Sequence, residues 1–118
     1  TLTSTMRDKH GYLRSTPPKT VTSDYTLMAD DSGLVIVMTK PNGIVTVPIS
    51  VTSPQTYGQI FNIINHTSTD ITIAAGTGLT LYNTADGLTG DKTAAQRSST
   101  TIVFIDSTVA YCSGTGLI

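Results

Sequence analysis

Two histidines, eight aspartates and a single cysteine are the residues of this chain whose types could support catalysis or metal binding. There is no glutamate at all, so no Asp–Glu pair can share general acid and general base roles. His10 lies in a polar leading segment. His66 falls in Asn65-His66-Thr67, where an apolar run gives way to a turn, and a lone histidine there reads as a surface residue. Asp30-Asp31 is the one adjacent carboxylate pair. Calcium takes several spaced oxygen ligands, and neighbouring side chains on extended backbone point to opposite faces, so these two read as a turn. Gly76-Thr77-Gly78 and Gly114-Thr115-Gly116 are not followed by Lys-Ser or Lys-Thr and open no helix, so they serve tight turns rather than phosphate binding. Asn65-His66-Thr67 has the form of a glycosylation acceptor, set aside because no secretion signal accompanies it. Cys112, in the alternating run Thr108–Ser113, excludes an internal disulfide or a cysteine-based zinc site and reads as a core thiol. The expectation is a protein that is not an enzyme, with no catalytic residue, no metal and no cofactor.

The elements that carry these residues follow from composition and pattern. Thr and Ser supply 34 of the 118 residues, Trp is absent, and charged residues make up 13%. Helices favour Glu, Lys, Ala, Leu and Arg, whereas Thr, Val and Ile pack well on a pleated surface. From Tyr25 onward, short apolar runs alternate with turn signals about every ten residues. The runs are Tyr25–Ala29, Leu34–Met38, Ile44–Val47, Gln59–Asn65, Ile71–Ile73, Leu79–Leu81, Thr101–Ile105 and Thr108–Tyr111. Leu34–Met38 is apolar at every position, the mark of a strand buried on both faces. Lys40-Pro41-Asn42-Gly43 predicts a hairpin joining it to Ile44–Val47, and Asp106-Ser107 predicts a second hairpin near the end. Pro48 stops a ladder or marks an edge. Ser50–Tyr57 and Asn83–Ser98 read as polar loops, the second long enough for partner contacts. The predicted fold is all-β: a small antiparallel β-sandwich, jelly roll or barrel. A solenoid reading of residues 44–81 lacks a fixed period.

Charge divides the chain. Residues 1–19 carry Arg7, Lys9, Arg14 and Lys19 against Asp8, a net of +3, while residues 20–118 carry a net of −4. With Pro17-Pro18 imposing an extended path, residues 1–23 read as an extended basic N-terminal arm on a β domain of residues 24–118. Such an arm suits docking on an acidic neighbour. Tyr12 beside Arg14 is too little for nucleic-acid binding, and no run of 18 apolar residues exists for a membrane-spanning helix.

The order Tyr25-Thr26-Leu27, Asp31-Ser32-Gly33 and Val45-Thr46-Val47-Pro48 resembles a domain of tailed-bacteriophage virion proteins. The likeness continues through Gly58–Ile60, Ile64-Asn65, Ile71–Gly76, Gly78, Thr80 and Leu81, and ends with Ser98-Ser99, Val103, Tyr111 and Ser113-Gly114. Tyr111 stands where the family's last strand usually has Trp. The resemblance spans residues 25–116 and implies a capsid decoration (cement) protein on the outside of the virion, a homotrimer contacting the major capsid protein and its sister subunits. Its alternative is a tail-fibre or spike module binding a host receptor or glycan, with Tyr82, Asn83, Asp86 and Arg97 facing the ligand. The expected contact residues are Arg7, Lys9, Tyr12, Arg14, Pro17, Pro18, Lys19, Asp86 and Arg97, and removing residues 1–18 is expected to weaken shell binding while leaving the β domain folded.

Overall fold

The structure, a computed structural model, describes residues 7–8, 11–12, 17–49, 60–114 and 116–118. Nearly all regular structure is strand: β1 (Arg7–Asp8), β2 (Gly11–Tyr12), β3 (Pro18–Val21), β4 (Tyr25–Thr26), β5 (Val35–Met38), β6 (Ile44–Val47), β7 (Ile60–Asn65), β8 (Ile71–Ala75), β9 (Thr80–Asn83), β10 (Lys92–Ala94), β11 (Ser99–Phe104) and β12 (Val109–Ser113). A 3₁₀ turn covers Ala29–Asp31. Among the described residues β1 and β2 pair with each other alone, antiparallel. The rest form a six-stranded sheet, ordered β3-β5-β7-β11-β12-β9, and a four-stranded sheet, ordered β10-β8-β6-β4. Among the described residues both are open and do not close into a barrel.

The sheets are mixed, which corrects the antiparallel expectation. From β3 to β8 the chain alternates between sheets at every strand. β3, β5 and β7 therefore stack parallel in one sheet, and β4, β6 and β8 stack parallel in the other. Parallel neighbours need a long crossover connection, and here each crossover contains a strand of the opposite sheet. This is a short coil of three turns. Its period is concealed because successive turns differ in length: Pro18 aligns with Val35, 17 residues on, while Val35 aligns with Asn62, 27 residues on. Among the described residues, antiparallel pairing is found in the small β1–β2 pair, between β8 and β10, and where β11 and β12 form the expected hairpin and lie between β7 and β9.

The predicted hairpin across Lys40–Gly43 does not form. A two-residue hairpin favours type I′, with positive φ at both central residues, and proline holds φ near −65°. Asn42 alone takes positive φ, at 56°, while the Gly43 amide donates to the Lys40 carbonyl at 3.0 Å. Such a turn splays its flanking strands, so it becomes a corner between sheets. Asp24 secures it, accepting from Lys40 Nζ and the Ile44 amide, each at 3.0 Å. Asn42 donates to Thr69 Oγ1 at 2.9 Å.

Two further expectations change. Residues 1–23 are not all arm: Pro18–Val21 is an edge strand of the large sheet, and Val21 belongs to the core. Pro18 occupies the first strand position, where no ladder donor is needed. Likewise, the polar stretch Asn83–Ser98 contains β10, which pairs with β8. One hydrophobic cluster draws on both sheets, with Ile36, Met38, Ile63, Leu81 and Ile102 from one and Val45, Val47, Ile71, Ile73 and Ala94 from the other. Phe61 meets Phe104 edge to face in it, centroids 6.0 Å apart. Cys112 is fully buried there, and burial raises its thiol pKa, keeping the sulfur unreactive.

Gly114 permits a close chain crossing: a Cβ there would lie 2.2 Å from the Ser99 carbonyl oxygen, with the Thr100 Cα at 3.2 Å. Both obstacles are backbone, so Gly114→Ala is expected to lower stability by about 2–3 kcal/mol through forced main-chain displacement. Thermal unfolding followed by circular dichroism measures it, and a melting temperature equal to the parent's would show that the crossing has slack.

Candidate functional site

Strand alternation gives each sheet an inner and an outer face, and the two outer faces differ. On the four-stranded sheet the outward positions include Thr26, Thr46, Thr72 and Thr93, with Ile44 and Ala74. On the six-stranded sheet they include Val35, Val37, Ile60, Ile64, Val103, Val109, Tyr82 and Tyr111. Ile60, Val103, Tyr111 and Tyr82 stand in register across four strands, forming one apolar row. The Tyr82 and Tyr111 rings stack with centroids 5.0 Å apart. Ile60 is 44% exposed, Tyr111 37%, and Ile105, just beyond β11, 57%.

Scattered exposed apolar residues are ordinary on a protein surface, and a contiguous patch is not. The sequence carries the signal in its unbroken apolar runs. Leu34–Met38 reads as buried on both faces, yet within the described residues Val35 and Val37 are only half-buried on the outside. The outer face sets this apolar row beside a polar one, Asn62-Thr101-Ser113, in which Thr101 Oγ1 donates to Asn62 Oδ1 at 2.9 Å.

At one end of this face lies a polar groove of about 590 Å³, lined by residues 95–99, Thr101, Ser113, Gly114 and Gly116. Its walls are the turn Ala95–Ser98 and the turn beginning at Gly114, joined by the Ala95 amide donating to the Gly116 carbonyl at 3.1 Å. Asn65 holds the first wall from beneath. Its Nδ2 donates to the carbonyls of Thr69 at 2.8 Å, Ala95 at 3.0 Å and Ala94 at 3.2 Å. Its Oδ1 accepts from the Thr67 amide and hydroxyl, and its own amide donates to Ser98 O at 2.9 Å. Asn65 is 1% exposed, so the apparent glycosylation acceptor is a structural amide linking β7 to β10.

The residues expected to make contacts are dispersed. Lys9 and Arg14 lie outside the described residues, as do His10 and the loop 50–57. Arg7 and Tyr12 align as β-ladder partners. The Pro17 carbonyl accepts from the Val35 amide at 3.0 Å, and Pro18 is exposed at the large sheet's edge. Lys19 serves the fold: its Nζ donates to Tyr25 Oη at 2.7 Å and pairs with Asp31 at 3.1 Å. Tyr25 Oη donates to Asp31 at 2.6 Å, and the Met28 amide donates to the same carboxylate at 2.8 Å. Asp86 caps its own turn by accepting from the Leu88 amide. Asn83 is buried and accepts from the Ala85 amide, so it does not face a ligand. Arg97 is exposed at the groove.

Asp31 is completely buried while the Lys19 side chain is 42% exposed. Removing the carboxylate strands the Met28 amide and Tyr25 hydroxyl, though Lys19 can turn to water. Asp31→Ala is therefore expected to cost about 2–3 kcal/mol, less than breaking a fully buried pair; chemical denaturation would measure the loss. Hydrogen bonds to Tyr25 and then to Asp31 raise the Lys19 pKa above its ordinary 10.5. Burial, then the bond to Asp31, raises Tyr25 above its ordinary 10.0. Both groups hold their protons more tightly when folded, so their contribution is complete below about pH 10 and is lost as pH rises through the raised values. Urea midpoints are expected to fall above pH 10 in the parent and to fall less in Asp31→Ala; equal slopes would contradict this coupling.

Among the described residues no group of three or more His, Cys, Asp or Glu could hold a metal ion. No helix among them is long and apolar enough to cross a membrane. No family model, no curated protein and no solved structure matches the chain.

Proposed function

We propose that this chain is a structural protein of a tailed-bacteriophage virion, a capsid decoration protein that binds the assembled head through the outer face of its six-stranded sheet. The observation that carries the reading is the apolar row Ile60-Val103-Tyr111-Tyr82, in register across four strands on the outer face. A face of this kind works by contact. Covering it contributes roughly 25 cal/mol per Å² of apolar surface, before the cost of ordering two partners. A protein that binds the closed shell and not its separated subunits stabilises the shell by mass action. The resemblance over residues 25–116 supports the same reading, with the major capsid protein and sister copies as partners. Symmetric shells offer threefold positions, which suit a trimer.

Immunogold imaging of the particles that carry this chain tests the proposal. Label distributed over the head is the expected result. Label confined to the tail would replace it with the fibre or spike reading, and particles without label would remove the virion assignment. The arm's contribution is separable: β3 begins at Pro18, so a truncation meant to spare the fold must end at residue 16, not 18.

A further inference from the structure

The groove at the end of the six-stranded sheet has a chemistry that the docking face does not use. Arg97 takes φ of 57°, a conformation that residues with a Cβ seldom adopt and glycine accepts freely. The Ser98 amide closes this turn onto the Ala95 carbonyl at 3.2 Å, so glycine would suit the position, and the chain instead places a guanidinium there. Arg97 Nη1 lies 3.1 Å from His66 Nδ1, and among the described residues no carboxylate is within ion-pairing distance of Arg97. Among the described residues none lining the groove is acidic. Ser98, Ser99, Thr101 and Ser113 line it, and the Thr101 hydroxyl donates to Asn62 Oδ1 at 2.9 Å. Ser98 Oγ is a buried polar atom without a hydrogen-bond partner.

We propose that this groove binds an acidic saccharide, with the sugar carboxylate on Arg97 and the ring hydroxyls on the serine and threonine side chains. A guanidinium presents paired donors that match the two oxygens of a carboxylate. The Ser99 and Ser113 hydroxyls can donate and accept, as a polyol requires, while Thr101 Oγ1, with its proton on Asn62, accepts. The volume of about 590 Å³ holds one or two sugar rings. The Asn65 amide, fixed to the carbonyls of Ala94 and Ala95, keeps the Arg97 turn in place. The groove shares Thr101 and Ser113 with the outer face of the six-stranded sheet, but its chemistry does not depend on the virion assignment.

The test is an amide chemical-shift titration of the full chain with D-glucuronate, D-glucose and acetate. Glucuronate is expected to shift Ser98, Ser99, Ser113 and Gly114 and to bind about tenfold more tightly than either glucose or acetate, because charge-assisted bonds are the stronger ones. Arg97→Gly removes the guanidinium and suits the local backbone, so the fold and its melting temperature are expected to hold while glucuronate affinity falls about tenfold. Absence of shifts at the groove, equal binding of acetate and glucuronate, or unchanged affinity in a folded Arg97→Gly variant would each overturn the proposal.

Discussion

Replacing Asn65 with alanine is expected to cost about 3–5 kcal/mol, a large share of the roughly 5–15 kcal/mol that holds a domain folded. The side chain is buried at the junction of the two sheets, and its amide serves carbonyls of the Thr69 turn, β10 and the residue after it. Alanine removes the Asn65 donor from all three carbonyls and the acceptor from the Thr67 amide, although Ala95 O keeps the Ser98 amide and Thr69 O keeps the Thr67 hydroxyl. Each stranded buried group costs about 1–3 kcal/mol, and partial access of water lowers the sum. At about 4 °C per kcal/mol for a chain of this size, the melting temperature should fall by about 12–20 °C. Asn65→Asp sharpens the test: it keeps the acceptor for Thr67 but turns an oxygen toward carbonyls that need donors. It is therefore expected to be at least as damaging at neutral pH. A drop below about 1 kcal/mol in both variants would mean that β10 is held by its ladder and the C-terminal residues alone.

Charging the docking face is expected to abolish partner binding while sparing the fold. Ile60→Lys and Tyr111→Lys place ammonium groups at positions already 44% and 37% exposed, where a monomer can hydrate them. The same groups covered by a partner would be desolvated and unpaired. Aromatic anchors near the centre of an interface typically account for 2 kcal/mol or more, so the double variant should lose at least about 30-fold in affinity for assembled shells. Cosedimentation with shells lacking the chain measures this, alongside unfolding curves for the variant. A folded double variant that cosediments like the parent would show that contact is made elsewhere. The threonine face of the small sheet supplies the control: Thr72→Lys and Thr93→Lys should leave binding unchanged.

The strands themselves were legible in the residues. β-branched runs punctuated by Gly, Pro, Asn and Asp placed β5 through β9, β11 and β12 close to where they lie, because alternation reports which side chains face inward. That is a local property, shared by parallel and antiparallel strands alike, so it says nothing about which strand lies beside which. Pairing was decided by tertiary structure: β5 joined β7 across a sheet rather than β6 across a turn. Pro41 contained a readable hint, since it bars the turn that a tight hairpin favours. β10 was hidden because Lys92-Thr93-Ala94 looks like loop and becomes strand only beside β8. Charge was legible as a total but not as a role. Lys19, counted with a basic arm, is tied to Tyr25 and Asp31, and Asn65 is a linchpin only because the fold brings Ala94 and Ala95 to it. Composition and periodicity determined the elements and their inner faces. Long-range contacts, which no short window of residues contains, decided the topology, the docking face and the groove.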